Sequence, residues 1–225
     1  MCGRFTLTAT TEQLMGRFEI ESFLLEADYA PNYNVAPSQS VPAVINNGNI
    51  NKMGFLKWGL IPPWAKETKI GYKMINARAE TLIEKPSFRH AYRKKRCLIP
   101  ADSFYEWKRN ENQTKTPMRI KLKSDELFAM AGLWEQWQSP DGESIFSCTV
   151  ITTTANELIK DVHHRMPVIL NREDEKVWLN PSITEPNRLQ SLLKPFNSAL
   201  MEIYEVSSLI NSPKNNSIEL IRKIC

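Results

Sequence analysis

Val41-Pro42-Ala43-Val44-Ile45-Asn46-Asn47-Gly48-Asn49-Ile50-Asn51-Lys52-Met53-Gly54-Phe55-Leu56 is the stretch on which the fold turns. Two apolar-rich runs, 41–45 and 50–56, flank four residues of Asn and Gly. Those residue types tolerate the positive φ of a tight reversal, so the stretch predicts a β-hairpin. Working outward toward the C-terminus, 96–100, 103–108, 117–122, 127–134 and 145–153 predict further strands. Helices are expected at 155–162, 171–179 and 187–194, with a late strand at 201–206. Toward the N-terminus, Thr10 followed three residues later by Gln13 forms a capping-box pattern. Leu14 and Phe18 lie one turn apart behind it, so a short helix is expected over 11–18. Residues 21–34 read as loop, with Pro31, Asn32 and Asn34 as turn formers. Pro62-Pro63 ends any regular element and leaves Trp64 on a loop. The tail from Asn211 to Asn216 is polar and loop-like, and 218–224 shows no clear period. The pattern is β-rich without βαβ alternation or internal repeats. It predicts an α+β fold, one domain over residues 1–225 built on a curved mixed sheet or barrel with short peripheral helices.

The chain has 225 residues, 42% hydrophobic and 24% charged, the profile of an ordinary globular protein. No stretch approaches the ~20 apolar residues needed to span a bilayer. The opening Met1-Cys2-Gly3-Arg4 lacks the apolar core of a signal peptide, and a cytoplasmic protein is expected. Lys plus Arg exceed Asp plus Glu by 29 to 25, a mild basic bias compatible with nucleic acid and with much else. Cys2, Cys97, Cys148 and Cys225 form no C-x-x-C pair, and only three histidines accompany them. Free thiols are therefore expected, with no metal site.

Cys2 is chemically distinctive. Removal of Met1 would leave it with an α-amine and a thiol on adjacent carbons, both nucleophilic near neutrality and both able to reach one electrophilic carbon. An aldehyde suits that pair: the amine condenses to a Schiff base and the sulfur closes a five-membered thiazolidine intramolecularly. Position alone favours the plainer reading, in which Cys2 is simply a second residue with no chemical role. In Phe104-Tyr105-Glu106-Trp107-Lys108, strand alternation places Glu106 on the face of Phe104 and Lys108. It is either a carboxylate desolvated among aromatics and suited to proton transfer, or an exposed residue paired with Lys108. His163-His164 can supply a general acid or base, or form a surface pair. In Asn76-Ala77-Arg78-Ala79-Glu80, Asn76 and Arg78 share a face if the segment is extended; the alternative pairs Arg78 with Glu80. The basic run Arg89 to Arg96, interleaved with Tyr92, fits either a single-strand nucleic-acid surface or a solvated charged face.

Taken together, these segments resemble the SRAP family, abasic-site-processing proteins once labelled SOS-response-associated peptidases. The resemblance is carried by Met1-Cys2-Gly3-Arg4-Phe5, Tyr33-Asn34-Val35-Ala36-Pro37, Trp58-Gly59-Leu60-Ile61-Pro62 with Trp64, and Asn76-Ala77-Arg78-Ala79-Glu80-Thr81. It continues through Arg96-Cys97-Leu98-Ile99-Pro100-Ala101, Phe104 to Lys108, and His163 to Pro167. It implies a single α+β domain that binds single-stranded DNA and captures abasic sites through the N-terminal cysteine during DNA repair, without metal or organic cofactor. Carried over by motif, Cys2 is the nucleophile, Glu106 manages protons, His163 assists opening of the sugar ring, and Asn76 lies beside the reacting sugar. The same resemblance implies DNA-backbone contacts by Arg4, Arg78 and Arg165, with Asn34 and Pro37 close to the site and Trp64 and Trp107 stacking near the bases. A monomer is expected. Two other readings remain: a cysteine peptidase using Cys2, His163 and Glu106, and a non-catalytic single-strand binding module. A lyase activity beside the covalent capture is also left open.

Overall fold

The computed structural model describes residues 2–23 and 29–224. In chain order the elements are β1 (Phe5–Leu7), α1 (Thr11–Phe18), β2 (Ile20–Phe23), β3 (Asn32–Val35), β4 (Ser40–Asn46), β5 (Asn51–Trp58), β6 (Asn76–Arg78), α2 (Arg89–Lys94), β7 (Arg96–Ala101) and β8 (Ser103–Arg109). They continue with β9 (Lys115–Leu122), β10 (Phe128–Gln138), β11 (Ser144–Thr154), β12 (Arg165–Pro167), β13 (Ile169–Leu170), α3 (Arg172–Leu179), α4 (Pro186–Gln190) and β14 (Met201–Glu205).

The hairpin forms where the sequence places it. β4 and β5 pair antiparallel from Ser40↔Lys57 to Asn46↔Asn51, and Gly48 supplies the positive φ of the reversal. From this nucleus the sheet runs β5-β4-β7-β10-β11, and β11 returns to β5 in parallel through Ser147↔Lys57 and Cys148↔Trp58. That last pairing closes a barrel. A second sheet, ordered β14-β9-β8-β1-β3, packs against it. The rings of Phe5 and Trp58 meet at 5.1 Å across the join, and one core cluster spans both sheets.

β8 belongs to the second sheet and alternates as expected. Phe104 enters the main core, while Tyr105 and Trp107 face a separate cluster with Val206, Ile210 and Leu220. The chain after β14 therefore lies against the back of β8. α1 carries the full reciprocal capping box between Thr10 and Gln13 and buries Leu14 and Phe18.

Four sequence expectations are corrected. Within 21–34, β2 pairs in parallel with β5 and β3 pairs with β1, so the segment is not simply loop; residues 24–28 of it lie outside the described residues, as do Met1 and Cys225. Both strands are defined by remote partners, which local composition does not show. The helix expected at 155–162 is a series of turns. Asn156 accepts the Ile159 N–H through its side chain and donates to the Phe196 carbonyl, an Asx arrangement that competes with helix. The helix expected at 187–194 is confined to Pro186–Gln190: beyond it the Leu192 and Leu193 N–H groups turn to the carbonyls of Leu189 and Gln190, three residues back, so the chain tightens into turns before Pro195. The basic run contains α2, whose Tyr92 is core. Its Arg96 is buried and donates to the carbonyls of Tyr92, Arg93, Trp178, Asn180 and Ile183, so Tyr92 and Arg96 are withdrawn from any nucleic-acid surface.

Candidate active site

The register Phe5↔Phe104 between β1 and β8, with the Tyr105 N–H bonded to the Arg4 carbonyl at 2.9 Å, carries the N-terminal residues alongside Glu106. Cys2 is fully buried there. β6 approaches from the barrel side, held parallel to β11 by Val150↔Asn76. The Asn76 side-chain N–H donates to the Cys2 carbonyl at 2.8 Å and fixes its backbone. The Asn76 Oδ1 is buried without a hydrogen-bond partner among the described residues. A buried acceptor left over in this way is an opening for a ligand donor.

Glu106 is 3% exposed, and its Oε1 lies 3.9 Å from Nδ1 of His163. The alternative that pairs Glu106 with Lys108 on a solvated face is excluded, since Lys108 is exposed while Glu106 is interior. Burial in a medium that disfavours charge pushes the Glu106 carboxyl up to about 7. Burial raises the Cys2 thiol far above the ordinary cysteine range, and the adjacent Glu106 charge adds to it. Burial also lowers His163 from its ordinary value, which keeps the ring neutral near pH 7. Of the two histidines, His163 is the one that faces Glu106. His164 is exposed and stacks on it with ring centroids 4.4 Å apart.

Arg165 follows this pair and is buried. Its guanidinium forks onto both oxygens of Glu80 at 2.8 and 2.9 Å and donates to the Thr152 carbonyl at 2.6 Å. Nδ1 of His163 rests on the Arg165 backbone, 3.0 Å from its nitrogen and 3.1 Å from its oxygen. The Arg165 side chain is thus anchored inside the protein, where it braces the His163 loop, and its Nε is left without a hydrogen-bond partner among the described residues. Glu80 pairs with Arg165 rather than with Arg78, and that hydrogen bonding holds its carboxyl below the ordinary range. Arg78 itself is exposed beside Asn76.

Asn34 is also interior. Its side-chain N–H groups donate to the carbonyls of Ser212 and Asn215 at 2.9 and 2.8 Å, and its oxygen accepts from Arg4. It clamps the C-terminal segment. Arg4 is half-buried, donates to the Ile210 carbonyl at 2.7 Å and lies over the Trp107 ring. The Trp107 indole N–H donates to Asn211 Oδ1 at 2.8 Å. Pro37 is half-buried beside this group in sequence, and Trp64 is well exposed. Cys2, Asn76, Glu106 and His163 therefore gather at one place, Arg4, Asn34 and Trp107 form a bracket with the C-terminal segment, and Trp64 stands on a loop of its own. Thr152 and Ile210 take part without having been read from sequence, and Glu80 takes part with a partner other than the one read for it. For Glu80 the signal was present but its partner lies 85 residues away.

A buried thiol beside a carboxyl poised near neutrality and a neutral imidazole is a centre for proton-coupled nucleophilic addition. Among the described residues no group of three or more His, Cys, Asp or Glu side chains is placed to hold a metal ion, and no helix is long and apolar enough to cross a membrane. The sequence model of one family, described as SOS response associated peptidase (SRAP), matches residues 1–213. The chain belongs to the SRAP family. A Bacillus subtilis SRAP relative named abasic site processing protein YoqW is 62% identical over 221 residues, which span 98% of this chain and 99% of that protein. The abasic site processing protein HMCES of Gallus gallus is 29% identical over 261 residues, spanning 98% of this chain and 77% of that one. A crystal structure of a protein from Bacteroides thetaiotaomicron superposes with a TM-score of 0.89 at 31% identity, each chain fully covered. The SRAP fold thus supplies the barrel, and this chain's own side chains supply the centre just described.

Proposed function

We propose that this SRAP protein processes abasic sites in single-stranded DNA by forming a thiazolidine through Cys2. The names of its relatives support the lesion; the observation that carries the chemistry is the burial of Cys2 beside Asn76 and Glu106, with His163 against Glu106. With Met1 removed, the Cys2 α-amine attacks C1′ of the ring-opened sugar and water leaves, giving an imine. The Cys2 sulfur then adds to the same carbon, its proton passing by way of Glu106 to the nitrogen. One water is lost overall and no redox partner is needed. A carboxyl near 7 can both give and take a proton at neutral pH, which suits these steps. The orphaned Asn76 Oδ1 is an acceptor for a hydroxyl of the opened sugar.

A thiol peptidase reading is less well supported. Such enzymes depress the thiol to hold a reactive thiolate, whereas burial and Glu106 drive Cys2 the other way. The sequence of amine first and neutral thiol second fits that direction. The test is intact-mass analysis of the purified protein before and after mixing with single-stranded DNA carrying one abasic site. Loss of Met1 and a denaturant-stable species equal to protein plus DNA less one water, absent in Cys2→Ala, is the expected result. Loss of Met1 with no adduct would overturn the proposal.

A further inference from the structure

Tyr72 and Trp64 are the two most exposed large apolar side chains among the described residues, 66% and 58% accessible, and both sit on the loop between β5 and β6. Single exposed aromatics are ordinary, but two on one braced loop that leads straight to Asn76 call for an account. The loop is closed at its neck by backbone contact: a Cβ placed on Gly59 or on Gly71 would meet the other residue's carbonyl oxygen at 2.7 Å. The Leu60 N–H bonds to the Met74 carbonyl at 3.1 Å just beyond. Inside, Ile61, Ala65 and Trp137 form a small core of their own, and the Trp137 indole N–H donates to the Ala65 carbonyl at 2.7 Å. It is an Ω-like loop with a fixed frame, so the side chains on it are displayed with little backbone freedom left to lose on binding.

The charges around the two rings are of mostly one sign. Lys66, Lys69 and Lys73 are exposed, against Glu67 as the acidic residue of the same segment. Aromatic faces interleaved with lysines are what a single strand requires: rings for bases to stack on and cations for its phosphates. A protein partner would favour a dry apolar centre depleted in lysine, which this loop does not offer.

We propose that the 59–74 loop is a base-stacking platform for the nucleotides flanking the lesion, with Tyr72 a stacking residue in addition to Trp64 and with Lys69 and Lys73 neutralising phosphates. This rests on the single-stranded DNA reading above. It assigns the platform to nucleotides outside the reacting sugar, since the loop reaches the centre only through its last residues before Asn76.

The test measures equilibrium binding of the Cys2→Ala protein, which forms no covalent bond, to two labelled abasic oligonucleotides. The short one spans the lesion and its immediate neighbours; the long one extends on both sides. Adding Tyr72→Ala is expected to narrow the preference for the long strand about tenfold, within the range for loss of one stacked base. Tyr72→Phe, which keeps the ring face, is expected to restore it. Lys69→Ala with Lys73→Ala is expected to flatten the salt dependence of long-strand binding by roughly one phosphate contact or more. An unchanged long-to-short preference in Tyr72→Ala would overturn the platform, as would Tyr72→Ala instead dissociating a self-associated protein. Failure of the parent Cys2→Ala protein to bind either strand would count against the single-stranded DNA reading itself, a result distinct from these.

Discussion

Carboxylates are buried in two contrasting settings at different parts of the barrel. In the cleft between α1 and α3, Glu175 receives both ends of the Arg17 guanidinium at 2.9 and 2.6 Å, each side chain almost wholly covered. At the centre, Glu106 is buried more deeply still, with the His163 ring 3.9 Å away and the Cys2 thiol close by, and burial raises its carboxyl to about 7. The first arrangement satisfies charge and fixes two helices. In the second, burial outweighs the groups that favour the charged form, and on the function proposed above the carboxyl exchanges a proton at neutral pH. Burial alone therefore does not set a carboxyl's protonation; what it is buried against does.

The contrast can be broken at either end. Removing the cleft carboxylate by Glu175→Ala strands the Arg17 charge in a covered site and is expected to cost about 4 kcal/mol in urea unfolding. Adduct formation by the protein that remains folded should be unchanged. A cost near zero would mean that the fork is ornamental. Glu106→Gln should behave oppositely. A carboxyl raised from 4.5 to about 7 in the folded state penalises folding only where it must ionise, so the penalty is absent below pH 4.5 and complete above 7. Glu106→Gln is then expected to match the parent in stability at pH 4 and to exceed it by about 3 kcal/mol at pH 8; a parallel pair of stability curves would contradict the environment described. The smallest effect is expected at the supporting imidazole. His163→Ala should slow adduct formation about tenfold, less than Glu106→Gln, and His164→Ala should leave it unaltered. Equal losses in the two variants would mean that the assignment between them is wrong.

Sequence revealed these settings unequally. The hairpin was legible because Gly48 and its neighbouring asparagines encode the turn locally, and the capping box because Thr10 and Gln13 meet within one helical turn. Glu106 was legible as an interior residue candidate because a strand's alternation is local too, although only the structure excludes the Lys108 alternative. Arg165 was read as a DNA-backbone contact and Asn34 as a residue close to the site, but the groups that anchor each of them inside the protein were not legible. Their partners, Glu80 for one and the 210–215 carbonyls for the other, lie far along the chain. The same holds for barrel closure, where β11 finds β5 across some ninety residues with no local signature. Alternation and capping are written in neighbours; which buried charge meets which partner is written only in the assembled fold.

The most direct test of the contrast is the pH dependence of the rate of covalent adduct formation across the neutral range, in the parent protein, Glu106→Gln and Glu175→Gln. The parent and Glu175→Gln are expected to share a bend near pH 7. In Glu106→Gln that bend should vanish and the rate should fall about a hundredfold, leaving only the titration of the α-amine near 8. If Glu106→Gln kept both the bend and the rate of the parent, the claim that Glu106 carries the proton at this centre would be contradicted.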